Sequence, residues 1–181
     1  MRLFTADTHF NHRLLARMRG YSDTIPHDEV LVSIWNSYVG KRDEVYHVGD
    51  FCFGSHKAVR QVRHRLNGKI HLILGNHDRA NRLYNMPDVF TSIHDLLEIK
   101  INGHPVILCH YAMRVWSKSH YNSWQLFGHS HGGLTPMGKQ YDVGVDNNRM
   151  TLLTEEDIVK IMDRSPNNLN YLSHHAEGGE G

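Results

Sequence analysis

Five short apolar stretches of the sequence end in side chains that commonly bind metal ions in proteins. The side chains at these ends are carboxylates, imidazoles and one amide, with no thiolate among them: Asp7 and His9, Asp50, Asn76, His110, and His129 and His131. This donor set is typical of sites for Mn²⁺, iron, Zn²⁺ or Mg²⁺, and it also suits Ni²⁺. Because seven candidate ligands are too many for one ion, the pattern predicts two ions.

The stretches that carry these ligands are predicted to be buried strands. They cover residues 3–6, 45–48, 70–74, 106–109 and 124–127, and each is a short apolar run that stops at glycine or polar residues. In open α/β sheets, ligands bind at the carboxyl ends of the strands, so these polar residues are expected to meet at one edge. Asp7 and His9 are two positions apart, and on extended backbone both side chains would point to the same side.

Helical patterns alternate with the predicted strands. Residues 27–39 have apolar positions at helical spacing, with Trp35 assigned to the core, and residues 55–66 predict a second helix. The pair Asn102–Gly103 lies between two apolar runs and predicts a β-hairpin. This order of elements predicts an α/β fold with either one mixed sheet or two stacked sheets.

The chain is predicted to form one domain over residues 1–164. No internal repeat or linker divides it, and Thr154 is a plausible N-cap for a last helix. Residues 165–181 are rich in Asn, Gly and Ser, which predicts a flexible tail.

The composition is ordinary for a globular domain apart from its histidines. The 181 residues carry a net charge of +1, so a broad surface for polyanions is not indicated. The two cysteines favour a reducing compartment, and no run of transmembrane length or signal-peptide type is present, so we expect a cytoplasmic protein. Of the 16 histidines, six are interpreted as surface residues: His27, His56, His64, His94 and the pair His174–His175.

Taken in chain order, the polar motifs resemble the signature of the calcineurin-like metallophosphoesterases. They span residues 7 to 131 and read Asp7-x-His9, Gly49-Asp50, Gly75-Asn76-His77-Asp78, His110 and Gly128-His129-Ser130-His131. The resemblance implies two stacked mixed β-sheets, a β-sandwich, flanked by helices. It also implies that Asp7, His9, Asp50 and His131 hold one ion, and that Asp50, as a bridge, holds the second ion with Asn76, His110 and His129.

The chain departs from the protein phosphatases of this superfamily. Their second motif continues as Gly-Asp-x-Val-Asp-Arg-Gly, whereas this sequence reads Gly-Asp-Phe-Cys-Phe-Gly over residues 49–54. The chain is more similar to the small bacterial and phage-encoded phosphoesterases. This similarity implies a metal-dependent phosphoester hydrolase in which a hydroxide between the two ions attacks phosphorus.

Residues beside the ligands are candidates for the remaining chemistry. His77 follows the ligand Asn76 without being needed as a ligand, so it is the candidate for donating a proton to the leaving group. Asp78 is expected to orient the His77 ring. Three further residues could contact substrate: His12, Arg114 and His120.

A phosphodiesterase is the favoured function, acting on nucleotide-type or other small phosphodiesters, with nucleic-acid ends also possible. A short chain leaves little material for a cap domain over the site, and an open site suits such substrates. The alternatives are a phosphomonoesterase, a non-catalytic metal-binding scaffold, and a metal-storage or metal-sensing protein. Neither a membrane partner nor a particular oligomeric state is indicated.

Overall fold

The computed structural model describes residues 1–173 and contains two β-sheets and five α-helices. The strands are β1 Arg2–Thr5, β2 Glu44–His47, β3 Lys69–Ile73, β4 Ser92–His94, β5 Leu97–Ile101, β6 His104–Leu108, β7 Trp124–Phe127, β8 Gln140–Asp142 and β9 Leu153–Thr154. The helices are α1 Arg13–Met18, α2 Thr24–Tyr38, α3 His56–Arg65, α4 Asn76–Ala80 and α5 Glu155–Arg164. Two short 3-10 turns cover Leu83–Asn85 and Ser119–Tyr121. The five strands predicted at residues 3–127 are therefore confirmed.

Both sheets are mixed. The first has the order β4-β3-β2-β1-β9, in which β1 to β4 are parallel and β9 is antiparallel to β1. The second has the order β5-β6-β7-β8, in which β6, β7 and β8 are parallel and β5 is antiparallel to β6. Parallel β1, β2 and β3 end at the same edge of the first sheet, and β6 and β7 end together in the second. The α/β prediction is confirmed in its two-sheet form.

The core has two parts because successive side chains of a strand point to opposite faces. On β1, Leu3 belongs to a cluster with Trp35 of α2 and Val59 of α3, so this face of the first sheet is covered by helices. The next residue, Phe4, belongs to a second cluster with Leu108 and Leu126 of the second sheet. The two sheets are therefore packed against each other, with helices on the outer face of the first.

Helix α2 begins earlier than the sequence pattern predicts. Asp23 caps its N-terminus by accepting from the backbone N–H of Thr24, so Pro26, which precedes the predicted helix, lies in the first turn. Pro is tolerated there because the first-turn N–H groups have no partner within the helix. The prediction that Trp35 is buried is confirmed, whereas the prediction that His27 is a surface residue is wrong, because its side chain is fully buried. No helix among residues 1–173 is long and apolar enough to cross a membrane.

Local sequence signals set several other boundaries. Asn102 and Gly103 join β5 to β6 as predicted, and both have positive φ angles, of 48° and 83°. Thr154 caps α5 in a reciprocal pair with Asp157, also as predicted. Residues 165–173, assigned to a flexible tail, include a buried anchor, since the Asn168 side chain donates to the carbonyl oxygens of Ser119 and Ser123 at 2.9 Å. The rest of that predicted tail, with His174–His175, lies outside the described residues.

Candidate metal centre

The fold brings the predicted ligands together in two groups of three. Within each group the ligand atoms all lie within 4.8 Å of one another, although the residues come from distant parts of the chain. The first group is Asp7, His9 and His131, and the second is Asp50, His110 and His129. Both sheets contribute to both groups, because the loops after β1 and β2 meet the loops after β6 and β7.

Asp50, a member of the second group, also lies close to the first group. Its Oδ2 atom is 3.6 Å from Nε2 of His9 and 3.5 Å from Nε2 of His110. Oδ1 of Asn76 lies 3.2 Å from the same His110 nitrogen. One carboxylate is thus within reach of a ligand from each group, which is the arrangement that a bridging carboxylate requires.

Five of these residues have backbone conformations that L-amino acids seldom adopt. The φ angles are positive at Asp7 (56°), His9 (48°), Asp50 (58°), His129 (67°) and His131 (48°). The expectation that Asp7 and His9 sit on extended backbone is therefore wrong; the turned backbone instead points both side chains to one ligand group. Left-handed backbone at non-glycine residues costs energy and concentrates at functional sites.

Glycines before the ligands allow the loops to approach each other closely. A Cβ atom on Gly75 would lie 2.2 Å from Oδ1 of Asp50. A Cβ atom on Gly128 would lie 2.7 Å from Oδ2 of Asp7. Real Cβ contacts are not this short, so a side chain at either glycine would displace a carboxylate of the site. This close approach explains why glycine precedes the ligands in these two motifs.

The chemistry of Asp7 and His9 fits a bound cation. His9 Nε2 is buried and has no hydrogen-bond partner among the described residues, although such groups are normally satisfied. Burial lowers the pKa of His9 to about 2, and it raises the pKa of Asp7 to about 7. A buried neutral imidazole with a free lone pair, next to a carboxylate whose pKa is raised by burial despite the nearby charges of His110 and His131, is what a divalent ion would complete.

Asp50 and His110 form an electrostatic pair in the second group. Burial by itself would raise the pKa of Asp50, but the hydrogen bond and charge of His110 outweigh it and lower that pKa to about 2. Burial works against the charged His110 ring, yet Asp50 raises the pKa of His110 above its ordinary value. The Nδ1 atom of His110 lies 2.9 Å from the Val48 carbonyl oxygen. That contact leaves Nε2 facing the site.

His131 is oriented by a residue that the sequence analysis did not identify. Its Nδ1 atom lies 2.6 Å from Oδ2 of Asp146, and this hydrogen bond raises the pKa of His131. Arg19 donates to both carboxylate oxygens of Asp146, at 2.8 and 2.7 Å. Asp146 lies 15 residues after His131, and no spacing in the sequence links the two residues.

Arg19 also holds the loop of the first ligand group. Its guanidinium donates to the backbone carbonyl oxygens of Asp7 at 2.6 Å and of Thr8 at 3.0 Å. It further donates to Nε2 of His27 at 2.9 Å, and His27 Nδ1 lies 2.7 Å from Oδ1 of Asp28. His27 is therefore buried as part of this network. An arginine 12 residues from the ligand motif gives no sequence signal of such a role.

Asp78 does not orient His77, contrary to the prediction. Its carboxylate is fully buried and accepts three backbone N–H groups, from Asp50 at 2.7 Å and from Phe51 and Gly75 at 2.9 Å. Asp78 is the third residue of α4, and a carboxylate at that position folds back to the start of its helix. It therefore holds the Asp50 loop to the start of α4. Burial raises its pKa to about 6.

His77 and His12 lie beside the ligand groups. Nε2 of His77 is 4.0 Å from Oδ2 of Asp50, and its side chain is 35% exposed. The His12 ring centroid is 5.3 Å from that of His9 and 5.5 Å from that of His77. Both residues lie beside the ligand groups and are partly exposed.

The other two predicted substrate contacts are placed differently. His120 lies in the 3-10 turn Ser119–Tyr121, where its ring packs on Tyr121 at 4.1 Å, and no contact within residues 1–173 joins it to the ligands. Arg114 is exposed and lines a hollow beside the loop that follows His131. The ring that does contact the centre is Tyr111, whose centroid is 4.9 Å from that of His129.

Asp142 was also missed by the sequence analysis. At the end of β8, its Oδ2 accepts from Oγ of Ser130 at 2.5 Å and from the backbone N–H of Gly132 at 3.0 Å. Its Oδ1 accepts from the N–H of Gly144 at 2.7 Å. Asp142 thus fixes the loop that carries His129 and His131.

Comparison with known proteins gives relatives and a fold, without an activity. No protein-family model matches the chain. An uncharacterised protein of Methanocaldococcus jannaschii is 26% identical over 170 residues, which cover 88% of this chain and 89% of that protein. The gene 66 protein of Mycobacterium phage L5 is 41% identical over 80 residues, covering 41% of this chain and 38% of that protein. The gene 66 protein of Mycobacterium phage D29 is 38% identical over 84 residues, covering 45% of this chain and 42% of that protein.

The fold is also similar to that of a solved structure. A protein of unknown function from Aquifex aeolicus matches with a TM-score of 0.70 and 21% sequence identity, over 89% of this chain and 98% of that chain. At this identity the likeness supports the fold alone. The chain therefore has an α/β fold shared with a protein of comparable length.

Proposed function

We propose that the protein is a binuclear metal-dependent phosphoester hydrolase of the calcineurin-like type, with phosphodiesters as the favoured substrates. The observation that carries the proposal is the position of Asp50 between two ligand groups. Its Oδ2 lies 3.6 Å from His9 Nε2 and 3.5 Å from His110 Nε2, and the His77 ring is beside it. The order of the motifs along the chain supports the same function.

The residues divide naturally between two cations. Asp7, His9 and His131 would hold one ion, and Asn76, His110 and His129 would hold the other. Asp50 would bind both ions. We expect Mn²⁺ first, with iron, Zn²⁺, Mg²⁺ or Ni²⁺ as alternatives. When bound, such a pair of ions neutralises phosphoryl oxygens and lowers the pKa of water. Two divalent ions bring four positive charges and the two carboxylates return two negative ones, so the surplus attracts a phosphate.

His77 is the proposed proton donor. In hydrolysis, water supplies the oxygen that bonds to phosphorus, the bond from phosphorus to the leaving oxygen breaks, and that oxygen must gain a proton. His77 is 35% exposed, has its ring 5.2 Å from that of His9, and has its position fixed because its backbone N–H donates to Asp50 Oδ1 at 2.9 Å. A general acid in this position contributes roughly 10²- to 10⁴-fold.

His12 is suited to donate a hydrogen bond to the phosphoryl group. Its Nδ1 accepts from the backbone N–H of Leu15 at 3.3 Å, because His12 is the N-cap of α1. In a neutral ring with Nδ1 as acceptor, the proton is on Nε2. Nε2 is therefore a donor, on a ring whose centroid lies 5.3 Å from that of His9 and 5.5 Å from that of His77. This arrangement favours a role in binding substrate over a role as a metal ligand.

The test is hydrolysis by metal-stripped protein after addition of single metals. The two probes are bis(4-nitrophenyl) phosphate, a diester, and 4-nitrophenyl phosphate, a monoester, each with Mn²⁺, Mg²⁺, Zn²⁺ or Ni²⁺. We expect turnover that depends on metal and favours the diester. Preference for the monoester would make the protein a phosphatase instead, and two bound ions without turnover of either ester would contradict the proposal.

Two variants and matched controls localise the activity. Asp50→Asn should lower the bound metal below two ions per chain and abolish turnover, while Asp163→Asn changes an exposed carboxylate of α5 and should behave as the parent. His77→Ala should leave two ions bound and lower kcat by roughly 10²-fold or more on an ester with a poor leaving group. The control His64→Ala changes an exposed histidine of α3.

A further inference from the structure

An exposed aromatic ring borders the side of the centre where His77 lies. Phe53 is 41% exposed, and its ring centroid is 4.8 Å from that of His12 and 5.9 Å from that of His77. Single exposed apolar residues are common on protein surfaces. This ring, however, contacts both His77, the proposed proton donor, and His12, the proposed hydrogen-bond donor to the phosphoryl group. A leaving group that takes its proton from His77 would therefore lie beside Phe53.

The backbone holds Phe53 in this position. Its N–H donates to the carbonyl oxygen of Phe10 at 2.8 Å, and Phe10 and Cys52 form a β-bridge and are both buried. The next residue, Gly54, has a φ angle of 112°, after which Ser55 caps α3. The chain on both sides is thus fixed by defined contacts, and the exposed ring is displayed by ordered backbone.

A second exposed ring borders the ligand group of Asp50, His110 and His129. Tyr111 is 44% exposed, and its ring centroid lies 5.1 Å from that of His110 and 4.9 Å from that of His129. Its backbone is also fixed, because the buried side chain of Gln125 donates to the Tyr111 carbonyl oxygen at 2.8 Å. Tyr111 therefore lies beside the histidines of the second ligand group, and Phe53 lies beside His12 and His77; both rings are open to solvent.

The surface beyond Tyr111 continues as a hollow of about 220 Å³. It lies between the loops that follow His110 and His131, and its walls include Met113, Arg114, Leu134 and Met137. Buried Gln140 and Gln125 hold this wall by hydrogen bonds to the backbone of Met113, at 2.6 Å and 3.0 Å. Apolar side chains with one cation suit a planar heterocycle with a charged substituent.

From these two rings we infer that the substrate is a phosphodiester with a planar ring on each side of phosphorus, of the dinucleotide or oligonucleotide type. Phe53 stacks on the ring of the leaving group, and Tyr111 stacks on the ring that stays on the phosphate. Aromatic stacking of bases is tolerant of base identity. The inference rests on the proposed function, because the assignment of sides depends on proton donation by His77.

The test compares two diesters that release the same product. Bis(4-nitrophenyl) phosphate carries a ring on both sides, whereas methyl 4-nitrophenyl phosphate carries one on the leaving group alone. Tyr111→Leu should lower the ratio of kcat/KM for the two-ring ester to that for the one-ring ester by about 5- to 100-fold, and Tyr111→Phe should restore the ratio. Phe53→Leu should lower kcat/KM for both esters by a similar factor, since both have an aryl leaving group.

Tyr38→Leu is the matched control, because Tyr38 is 43% exposed and lies at the end of α2 before β2, away from the strand ends that carry the ligands. This substitution should change kcat/KM for neither ester. The inference is overturned if Tyr111→Leu affects both esters equally or neither, or if Phe53→Leu has no effect. If the parent protein hydrolyses neither ester with any of the four metals, the proposed function itself fails, which is a different outcome from loss of selectivity.

Discussion

Replacement of Asp7 by Asn should stabilise the metal-free protein at neutral pH and destabilise it when metal is present. Asp7 is fully buried, and burial raises its pKa to about 7 from an ordinary value of 3.8. Without a cation, ionisation of this carboxylate in the folded protein is unfavourable. The amide of the Asp7→Asn variant would have no charge to bury, and its oxygen could still accept the N–H of His129, which donates to Asp7 at 2.9 Å.

The pKa values of Asp7 in the unfolded and folded chain set the size and the sign of the change in unfolding free energy. One pKa unit corresponds to 1.36 kcal/mol, so a rise from 3.8 to about 7 corresponds to roughly 4 kcal/mol at most. Between these two pKa values the folded chain keeps a proton that the unfolded chain has released. The free energy of unfolding therefore falls as pH rises through this window, and it changes no further above pH 7 on account of this group.

The assay is urea unfolding of chelator-treated protein at a series of pH values from 4.5 to 8. The quantity to follow is the unfolding free energy of Asp7→Asn minus that of the parent, since pH effects shared by the two proteins cancel. We expect this difference to rise with pH and to level off near pH 7. Asp163→Asn, which changes an exposed carboxylate, should give a difference that does not vary with pH.

Added Mn²⁺ should reverse the order of stability at pH 8. A ligand that binds the folded state stabilises it in proportion to the logarithm of its concentration over Kd, and Asp7→Asn weakens that binding. If the difference in unfolding free energy without metal is independent of pH, or falls as pH rises, burial does not raise the pKa of Asp7. If Asp7→Asn remains more stable than the parent at saturating metal, Asp7 is not a metal ligand.

Two further substitutions test the residues that hold the ligands. Asp78→Asn replaces a carboxylate that accepts three backbone N–H groups, and its amide would place N–H against N–H. We expect the free energy of unfolding, measured in urea, to fall by about 2 kcal/mol or more. The metal content, measured by elemental analysis, should fall below two ions per chain. Arg19→Met removes the donors to the Asp7 carbonyl and to Asp146 and should weaken metal binding by about 10- to 100-fold in a competition titration.

Exposed counterparts serve as controls for these two changes. Arg114→Met alters a cation that makes no hydrogen bond or ion pair within residues 1–173, so metal affinity should be the same as in the parent. Asp163→Asn is again the control for the replacement of a carboxylate by an amide. Unchanged metal affinity in Arg19→Met, or full metal content in Asp78→Asn, would show that these contacts do not hold the ligand loops.

Several features of the fold could be predicted from the chain because their causes are local. A buried strand needs a short apolar run with a polar end, and the five runs that carry the ligands are strands in the structure. The hairpin at Asn102–Gly103 needs two residues that tolerate positive φ angles, and both have them. The N-caps Ser55 and Thr154 satisfy backbone donors three residues away. Each of these signals spans only a few residues.

Other predictions failed where a distant contact overrides the local pattern. His27 was assigned to the surface because histidine usually lies there, but Arg19 and Asp28 satisfy both of its ring nitrogens and allow burial. Asp78 was assigned to His77 because they are adjacent, whereas its carboxylate turns to the N–H groups of Asp50, Phe51 and Gly75. Sequence adjacency did not set the direction of the side chain; capping of α4 did.

The seven candidate ligands and the strands that carry them could be identified from the chain, because donor chemistry and strand polarity are evident from consecutive residues. How these residues meet depends on the packing of the two sheets. The two sheets bring Asp50 between His9 and His110, and the turned backbone at the ligands, with the nearby glycines, lets the loops approach closely. The roles of Arg19, Asp142 and Asp146 also depend on packing, since hydrogen bonds between distant segments leave no periodic pattern in the chain.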